Sequence, residues 1–483
     1  MSVIHWLLGH WAPVSALLYL ALAIAVSVHV LLAKRDVRAT VAWVGLAWLS
    51  PVIGAVAYLL FGINRINRKA SRLLPTAPDG TAQRRGYTLD LDHLDASAPG
   101  GRLVALARLG ENLSHLPIVG GNRVEPRANG DDAYPDMLAA IRDARHSIAL
   151  SSYIFRDDAA GAPFVAALAE AQARGVAVRV LLDGMGAGYL LAPGVAALRR
   201  RGVPTARFLH SLAPWRMPYL NLRSHRKILV VDGRIGFTGG LNIGSENLLA
   251  RAGPDGVQDL HFRIEGPVVR HLMDCFAEDW AFTTGEQLAG ERWFPELAGR
   301  GAIYARGLAS GPDESVGRLA WTIAGALGRA ERSVRIVTPY FLPEQTLMAA
   351  LTLAALRGVA VDIVIPARGN HRVMDWAAWA QHDQVLEPGC RLHLAPPPFD
   401  HSKLMTVDGR WALFGSANWD ARSLRLNFEF NVECYSPELA GALDARIDKK
   451  IAAARPLSLA EVRARPLPVQ IRDGVARLLL PYL

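Results

Sequence analysis

Two runs of the chain are apolar almost without interruption, and beyond them apolar positions come in short bursts divided by polar turns. Residues 13–33 (PVSALLYLALAIAVSVHVLLA) and 40–61 (TVAWVGLAWLSPVIGAVAYLLF) are each long enough to cross a hydrocarbon layer of roughly 30 Å. The pattern predicts two membrane-spanning helices. The first run has no basic stretch ahead of it, is too long for the apolar core of a leader peptide, and is followed at once by the second. The short link between them predicts a hairpin within residues 1–62, with both of its ends on one side of the membrane. Residues 63–100 are polar, rich in Arg, Asp, Pro and Gly and without periodicity, so 63–118 reads as a linker and entry segment.

From there the pattern repeats. Residues 145–183 and 331–366 each read as a strand, an aromatic loop (Ser-Ser-Tyr-Ile-Phe and Thr-Pro-Tyr-Phe-Leu), an Ala/Leu-rich helix, and Arg-Gly-Val-Ala-Val opening a second strand. Strands alternating with helices of this length predict an α/β fold, with one α/β sandwich in each half. The halves are placed at 119–300 and 301–483 and are expected to face each other across a pseudo-twofold. In the closing stretch 467–483, Leu467, Ile471, Val475 and Leu478/Leu479 share one helical face, which is expected to pack on the core, with membrane contact as the alternative.

Charge and cysteines narrow the partners. The net charge is +9, but the densest basic clusters, Lys34/Arg35/Arg38 and Arg65/Arg68/Lys69/Arg72, flank the apolar runs. That placement suits anionic lipid and a membrane, and predicts no nucleic-acid partner. The slightly larger basic cluster follows the second run, which places the large C-terminal part in the cytoplasm. Cys275, Cys390 and Cys434 are odd in number and widely spaced, which argues against a disulfide framework or a zinc site and fits a reducing compartment.

The chemistry is carried by a second repeat. His225-Arg226-Lys227 with Asp232-Gly233, Gly239 and Asn242 recurs at identical offsets as His401-Ser402-Lys403 with Asp408-Gly409, Gly415 and Asn418. Two imidazoles, two ammonium groups and two amides, without a thiolate cluster, are equipment for a phosphodiester and call for no metal or cofactor. One neutral imidazole attacks phosphorus, cationic donors spread the charge on the anionic oxygens, and an imidazole on the opposite side protonates the leaving oxygen. In-line displacement requires a histidine on each side of the phosphate, which a duplicated fold supplies. Lys227 and Lys403 follow their histidines at the strand period of two, on the same face. Asn242 and Asn418 follow Gly239-Gly240 and Gly415-Ser416, turns that let an anion approach closely, and Ser416 joins the phosphate-binding candidates. Each imidazole also needs an acceptor to fix its tautomer; Asp259 and Glu429, at the heads of predicted strands, are the candidates. Asp232 and Asp408 belong to the repeated motif and so to the candidate catalytic set, although an Asp-Gly that ends a strand is most simply a turn. His371, His382 and His393 have no metal-ligand spacing and read as surface or core residues.

At these residues the chain resembles the phospholipase D superfamily, whose signature is two copies of His-x-Lys-x4-Asp-Gly. More narrowly, Ser-His-Arg-Lys-Ile, Gly-Gly-Leu-Asn-Ile-Gly, Thr-Pro-Tyr-Phe-Leu-Pro, His-Ser-Lys-Leu-Met and Arg-Ser-Leu-Arg-Leu-Asn-Phe-Glu, with the two N-terminal spans, resemble the bacterial cardiolipin synthases. The resemblance implies two phospholipase D-like halves sharing one active site and a multi-pass protein of the cytoplasmic (inner) membrane. It also implies a metal-free phosphatidyltransferase that joins two phosphatidylglycerols into cardiolipin and releases glycerol. By the same resemblance His225 is the nucleophile and His401 the acid, later the base. The residues alone leave open a membrane-bound phospholipase D that admits water, and a nuclease with the same machinery. The apolar, aromatic stretch 212–221, with Trp215 and Tyr219, is expected either to dip into the membrane interface or to pack on the sandwich.

Overall fold

The structure, a computed structural model, describes residues 3–33, 37–62, 102–114, 116–211, 222–312 and 317–478. The expected linker 63–100 and the aromatic stretch 212–221 lie outside the described residues.

The N-terminal helices form one compact unit. Helix α1 (Val3–Ala33) contains a 23-residue stretch, Trp11–Ala33, of mean hydropathy 2.4, and among the described residues it is the one helix long and apolar enough to cross a membrane. The expected second span is not one continuous α-helix. It runs as α2 (Val37–Leu49) and α3 (Pro51–Ala57), followed by a π-helical turn at Tyr58–Gly62. The break has a cause in Pro51, which lacks an N–H and holds the residue before it out of the helical region; Ser50 has ψ of 81°. Val26 and Val30 of α1 nonetheless pack on Ala47, Ala55 and Tyr58. The contact is fixed by polar bonds, the His29 Nδ1 to the Tyr58 hydroxyl at 2.7 Å and the Trp48 indole to the Ser27 hydroxyl at 3.1 Å.

The second unit carries two copies of one sheet. The first copy comprises β1 (Val119–Ala128), β2 (Ser147–Ser152), β3 (Ala177–Asp183), β4 (Thr205–Phe208), β5 (Ile228–Val231), β6 (Ile235–Gly239) and β7 (Leu260–Glu265). The second comprises β8 (Ile303–Ser310), β9 (Ser333–Val337), β10 (Ala360–Pro366), β11 (Arg391–Ala395), β12 (Leu404–Val407), β13 (Trp411–Gly415) and β14 (Asn427–Tyr435). Strand order is β1-β7-β6-β5-β2-β3-β4 in one and β8-β14-β13-β12-β9-β10-β11 in the other, the same path twice. The sheets join edge to edge where β1 pairs antiparallel with β8, Val119 opposite Ala305. Both predicted βαβ units are present, with β2 and β3 parallel and β9 and β10 parallel.

Helices cover the sheets as the alternation of side chains requires. Ile148 and Leu150 of β2 enter a core with Phe164 and Leu168 from the crossover helix Gly161–Ala173. Val334 and Ile336 of β9 do the same with Leu347 and Leu351 of the helix Gln345–Leu356. Part of the expected entry segment belongs to this second core. Residues Arg102–Ser114 form α4, which buries Val104, Leu106 and Ala107 beside Leu319 and Ile323.

The C-terminal expectation is corrected. The helix Leu467–Leu478 forms, but Leu467, Ile471, Val475 and Leu478 face away from the core, each more than half exposed. Its buried residues are Asp473 and Ala476, because the helix lies on Arg372–Trp379 through its other face. Leu479 lies outside the described residues.

Candidate active site

Each His-x-Lys lies where the chain passes from one half to the other. Arg223–Ser224 pair in parallel with Asn427–Phe428 of the second half, and the His225 amide donates to the Phe428 carbonyl at 2.8 Å. Only after Lys227 does the chain join its own sheet as β5. The second motif mirrors this. Phe399–Asp400 pair with Val257–Gln258 of the first half, and the His401 amide donates to the Gln258 carbonyl at 2.8 Å. The motifs therefore precede the strands on which the sequence pattern placed them, since their hydrogen-bonding partners belong to the opposite half.

The side chains cross in the same way. His225 Nδ1 lies 3.0 Å from Glu429 and 3.0 Å from the Ser416 carbonyl, both in the second half. His401 Nδ1 lies 2.8 Å from Asp259, in the first. Both carboxylates are buried, and each leaves the Nε2 of its imidazole as the nitrogen open to reaction. The ring centroids of His225 and His401 are 6.4 Å apart at an interplanar angle of 80°. The two rings are thus neighbours across the site, close enough for one phosphate group to meet both.

Lys227 and Lys403 are buried beside the histidines. Each ammonium donates to the carbonyl of its own histidine, Lys227 at 2.7 Å. Among the described residues no carboxylate lies within ion-pair distance of either. Burial pulls their pKa values down to about 7 for Lys227 and about 8 for Lys403, against the opposing pull of Glu429 and Asp259, and Lys403 lowers that of Lys227 further. Burial likewise lowers the His401 pKa to about 4, with Lys403 adding to the effect, and lowers that of His225 against the pull of Glu429. Burial opposes ionisation of Glu429, but His225, Lys227 and the Ser416 hydroxyl outweigh it and hold its pKa below the usual carboxylate range. The free site thus holds neutral imidazoles beside buried lysines that, among the described residues, have no carboxylate within ion-pair distance.

The other expected residues divide. Asn242 accepts from the Ile154 amide through Oδ1 at 3.1 Å, which leaves its NH₂ to donate; the buried Oδ1 of Asn418 has no partner among the described residues. The Ser416 hydroxyl donates to Glu429 at 2.5 Å and accepts from the Phe430 amide at 3.0 Å, so it is committed to holding the carboxylate. Asp232 and Asp408 stand at the far ends of β5 and β12 from the motifs. Asp232 accepts from the amides of Arg145, His146 and Ser147, and Asp408 from those of Glu331, Arg332 and Ser333. Both take positive φ, 51° and 54°, ahead of Gly233 and Gly409. These bonds support turn and strand-anchoring roles for the two aspartates. His382 and His393 are buried and His371 is exposed, as read from the sequence.

Two aromatic residues were missed. Tyr153 stands edge-on to His225 with ring centroids 5.0 Å apart and lies 5.3 Å from the Lys227 ammonium, while Tyr340 stands edge-on to His401 at 6.4 Å. They occupy the same place in the two repeated loops, a signal present in the sequence. Asp183 was missed as well; it accepts from the Ser224 amide at 2.8 Å and so fixes the approach to His225.

The family model described as cardiolipin synthase, PLD-like domain, matches residues 137–280 and 323–451, more than half of the chain. The chain belongs to this family. A second model, described as phospholipase D-nuclease N-terminal, matches residues 21–62. Among cardiolipin synthase relatives, a cardiolipin synthase of Geobacillus sp. (strain WCH70) is 32% identical over 94% of this chain and 90% of its own length. Cardiolipin synthase A of Pseudomonas fluorescens (strain SBW25) is 32% identical over 95% of each chain. A crystal structure of phosphatidylserine synthase from Haemophilus influenzae Rd KW20 covers 78% of this chain and all of its own, with a TM-score of 0.61 at 16% identity, a likeness of fold.

If the crossed carboxylates orient the imidazoles and the turn aspartates anchor strands, their variants separate by readout. Glu429→Gln and Asp259→Asn should each cut turnover by about two orders of magnitude or more with little change in thermal stability. Asp232→Ala should instead lower stability by about 2 kcal/mol, because it leaves several backbone amides unpaired, while retaining most of the activity per folded molecule. Turnover assayed alongside thermal unfolding checks both; a folded, inactive Asp232→Ala would return that residue to the catalytic set.

Proposed function

We propose that the chain is a cardiolipin synthase acting through a phosphatidyl group carried on His225. The observation that carries this reading is the pair of buried lysines with no carboxylate in ion-pair distance among the described residues, set beside two neighbouring imidazoles. A buried unpaired charge is costly, and two neighbouring ones more so. A phosphodiester seated among them removes that cost and places its phosphorus between the imidazoles. His401 takes up a proton at Nε2 as the phosphate anion binds; His225 Nε2 then forms a bond to phosphorus as the bond to the glycerol headgroup oxygen breaks, and His401 gives that oxygen its proton. Glycerol leaves. The headgroup hydroxyl of a second phosphatidylglycerol then yields its proton to His401 and attacks phosphorus, the nitrogen–phosphorus bond breaks, and cardiolipin is formed. Lys227, Lys403, Asn242 and Asn418 hold the anionic oxygens through both steps. A membrane-bound phospholipase D would share the first step; membership of the cardiolipin synthase family favours the lipid alcohol over water in the second.

The apolar α1 and the lipid substrates place the protein at a membrane. We further infer a multi-pass hairpin in which the helical run Val37–Gly62 is the second leg, with the catalytic halves in the cytoplasm. The basic residues after the second run and the three free, buried cysteines support this orientation. A reporter fused after Leu483 should be active when it requires the cytoplasm, and activity only after export would reverse the assignment.

His225→Ala and His401→Ala should each abolish cardiolipin formation, measured by lipid mass spectrometry on phosphatidylglycerol micelles. Only the His401 variant should accumulate a phosphatidyl-enzyme adduct. Near-normal product from either variant would refute the two-histidine scheme, and phosphatidic acid as the main wild-type product would favour hydrolysis.

The lysines set the pH dependence. In the free protein their ammoniums discharge above about pH 7 to 8, so kcat/KM should fall on that limb. A bound phosphate anion holds them charged, so the alkaline limb of kcat should lie higher. Stability should move the opposite way. A lysine whose folded pKa is depressed costs stability fully below that pKa, and the cost fades as pH rises toward the ordinary lysine value. Parallel pH profiles of kcat, kcat/KM and thermal stability test this, and Lys227→Met should flatten the stability trend.

A further inference from the structure

The helix Leu467–Leu478 carries an apolar ridge that the body of the protein leaves uncovered. Leu467, Ile471, Val475 and Leu478 follow at helical spacing on one face and are 68%, 58%, 58% and 76% exposed. The ridge is fixed in place. Asp473 is buried and pairs with Arg465 at 2.6 Å and Arg472 at 2.7 Å. The Arg465 guanidinium lies 4.3 Å from the Trp379 ring centroid and that of Arg472 4.5 Å from Trp376. These contacts bind the helix to Arg372–Trp379 and turn the leucines, isoleucine and valine outward.

Charge decides what would cover it. Within the sequence 467–478 the single acid is Asp473, which is buried under its arginine partners, while Arg472 and Arg477 flank the apolar face. An apolar ridge rimmed by cations and bare of exposed carboxylates complements the headgroup layer of an anionic bilayer. Position agrees. The underlying helix contributes Met374, Ala378 and Trp379 to a cavity of about 50 Å³ whose wall includes Tyr340, the ring that stands beside His401.

We propose that this helix seats the catalytic body on an anionic lipid surface, as a contact separate from the N-terminal apolar helix. Its bearing on substrate access rests on the lipid-transfer reading above; the contact itself does not. The test uses the full chain with Ile471→Cys carrying an environment-sensitive fluorophore, since the three native cysteines are buried. It is reconstituted in vesicles of phosphatidylglycerol and phosphatidylcholine with some acyl chains brominated. Emission should shift to the blue and be quenched by the brominated lipid, more strongly as phosphatidylglycerol increases. His225→Ala in the same background should leave the quenching unchanged, which separates this contact from catalysis. Emission indifferent to brominated lipid would overturn the proposal, and so would self-quenching that rises with protein-to-lipid ratio in its place, since that marks a second copy as the occupant. Ile471→Glu combined with Val475→Glu should raise KM several-fold for phosphatidylglycerol in bilayers and leave turnover of micelle-dispersed substrate unchanged. Equal loss on both substrates would show that the ridge serves the fold and would overturn the assignment.

Discussion

The site depends on an exchange between the two halves. Each imidazole of the proposed catalytic pair is held by a carboxylate that its own half does not supply, His225 by Glu429 and His401 by Asp259. The backbone exchanges as well, each histidine amide bonding to a carbonyl of the opposite half. Neither half is therefore complete: separated from its partner it would lose the acceptor, the tautomer it fixes, and the short parallel pairing that aims the motif. Because the exchange is reciprocal, it brings the rings to 6.4 Å without relying on a mobile loop. The closeness of the two rings, on which the proposed in-line displacement relies, follows from the internal symmetry of the fold.

Once the carboxylates are committed to the histidines, the lysines have no anion of their own. Lys227 and Lys403 sit buried with only the carbonyls of their histidines as bonded partners among the described side chains and backbone. This distribution of charge readies the site for its substrate. A carboxylate beside either lysine would stabilise the free protein and compete with phosphate. Its absence from ion-pair distance among the described residues leaves the two ammoniums open to an incoming anion in a region of low dielectric, where charges attract most strongly. Burial, with the lysines adding to it, keeps the imidazoles neutral until an anion arrives, which suits the one proposed to attack phosphorus. An arriving phosphate restores some affinity for a proton, which suits the other.

Much of this was legible in the sequence because the chain states it twice. The His-x-Lys pair, the asparagines, the βαβ units and both acceptor carboxylates are tied to repeated offsets or to the heads of strands. The crossing of the carboxylates was not legible, since in a duplicated pattern each histidine has an equal sequence claim on either acid. Tyr153 and Tyr340 stood in the repeat too, but an aromatic residue in a loop carries no sign that it will face an imidazole. Periodicity placed four apolar residues of the last helix on one face without showing which face the rest of the fold would cover. Asp473, held between Arg465 and Arg472, made the polar face the buried one. In the second apolar run, composition outweighed Pro51 in the reading, while backbone sterics broke the helix there.

Symmetry builds the site, but a reaction with a nucleophile and an acid gives the two imidazoles different tasks, and fusing the halves into one chain lets their surroundings differ. The differences fall on the groups behind the rings. Glu429 is steadied by the Ser416 hydroxyl at 2.5 Å and by the Asn427 amide at 3.0 Å, whereas Gly240 stands opposite Asp259 in the place of that serine. Asp259 takes the backbone amide of Leu260 instead, at 2.7 Å. A β-carbon on Gly240 would come within 2.2 Å of the Asp259 carboxylate, so the serine of one half cannot simply be copied into the other. Arg226, between His225 and Lys227, reaches Asp279 at 2.6 Å, while Ser402 in the second motif turns back to Asp400. A homodimer would make every one of these pairs identical. The duplicated single chain keeps the crossed clasp that aims both rings and varies what stands behind each, an asymmetry that suits the proposed division between nucleophile and acid.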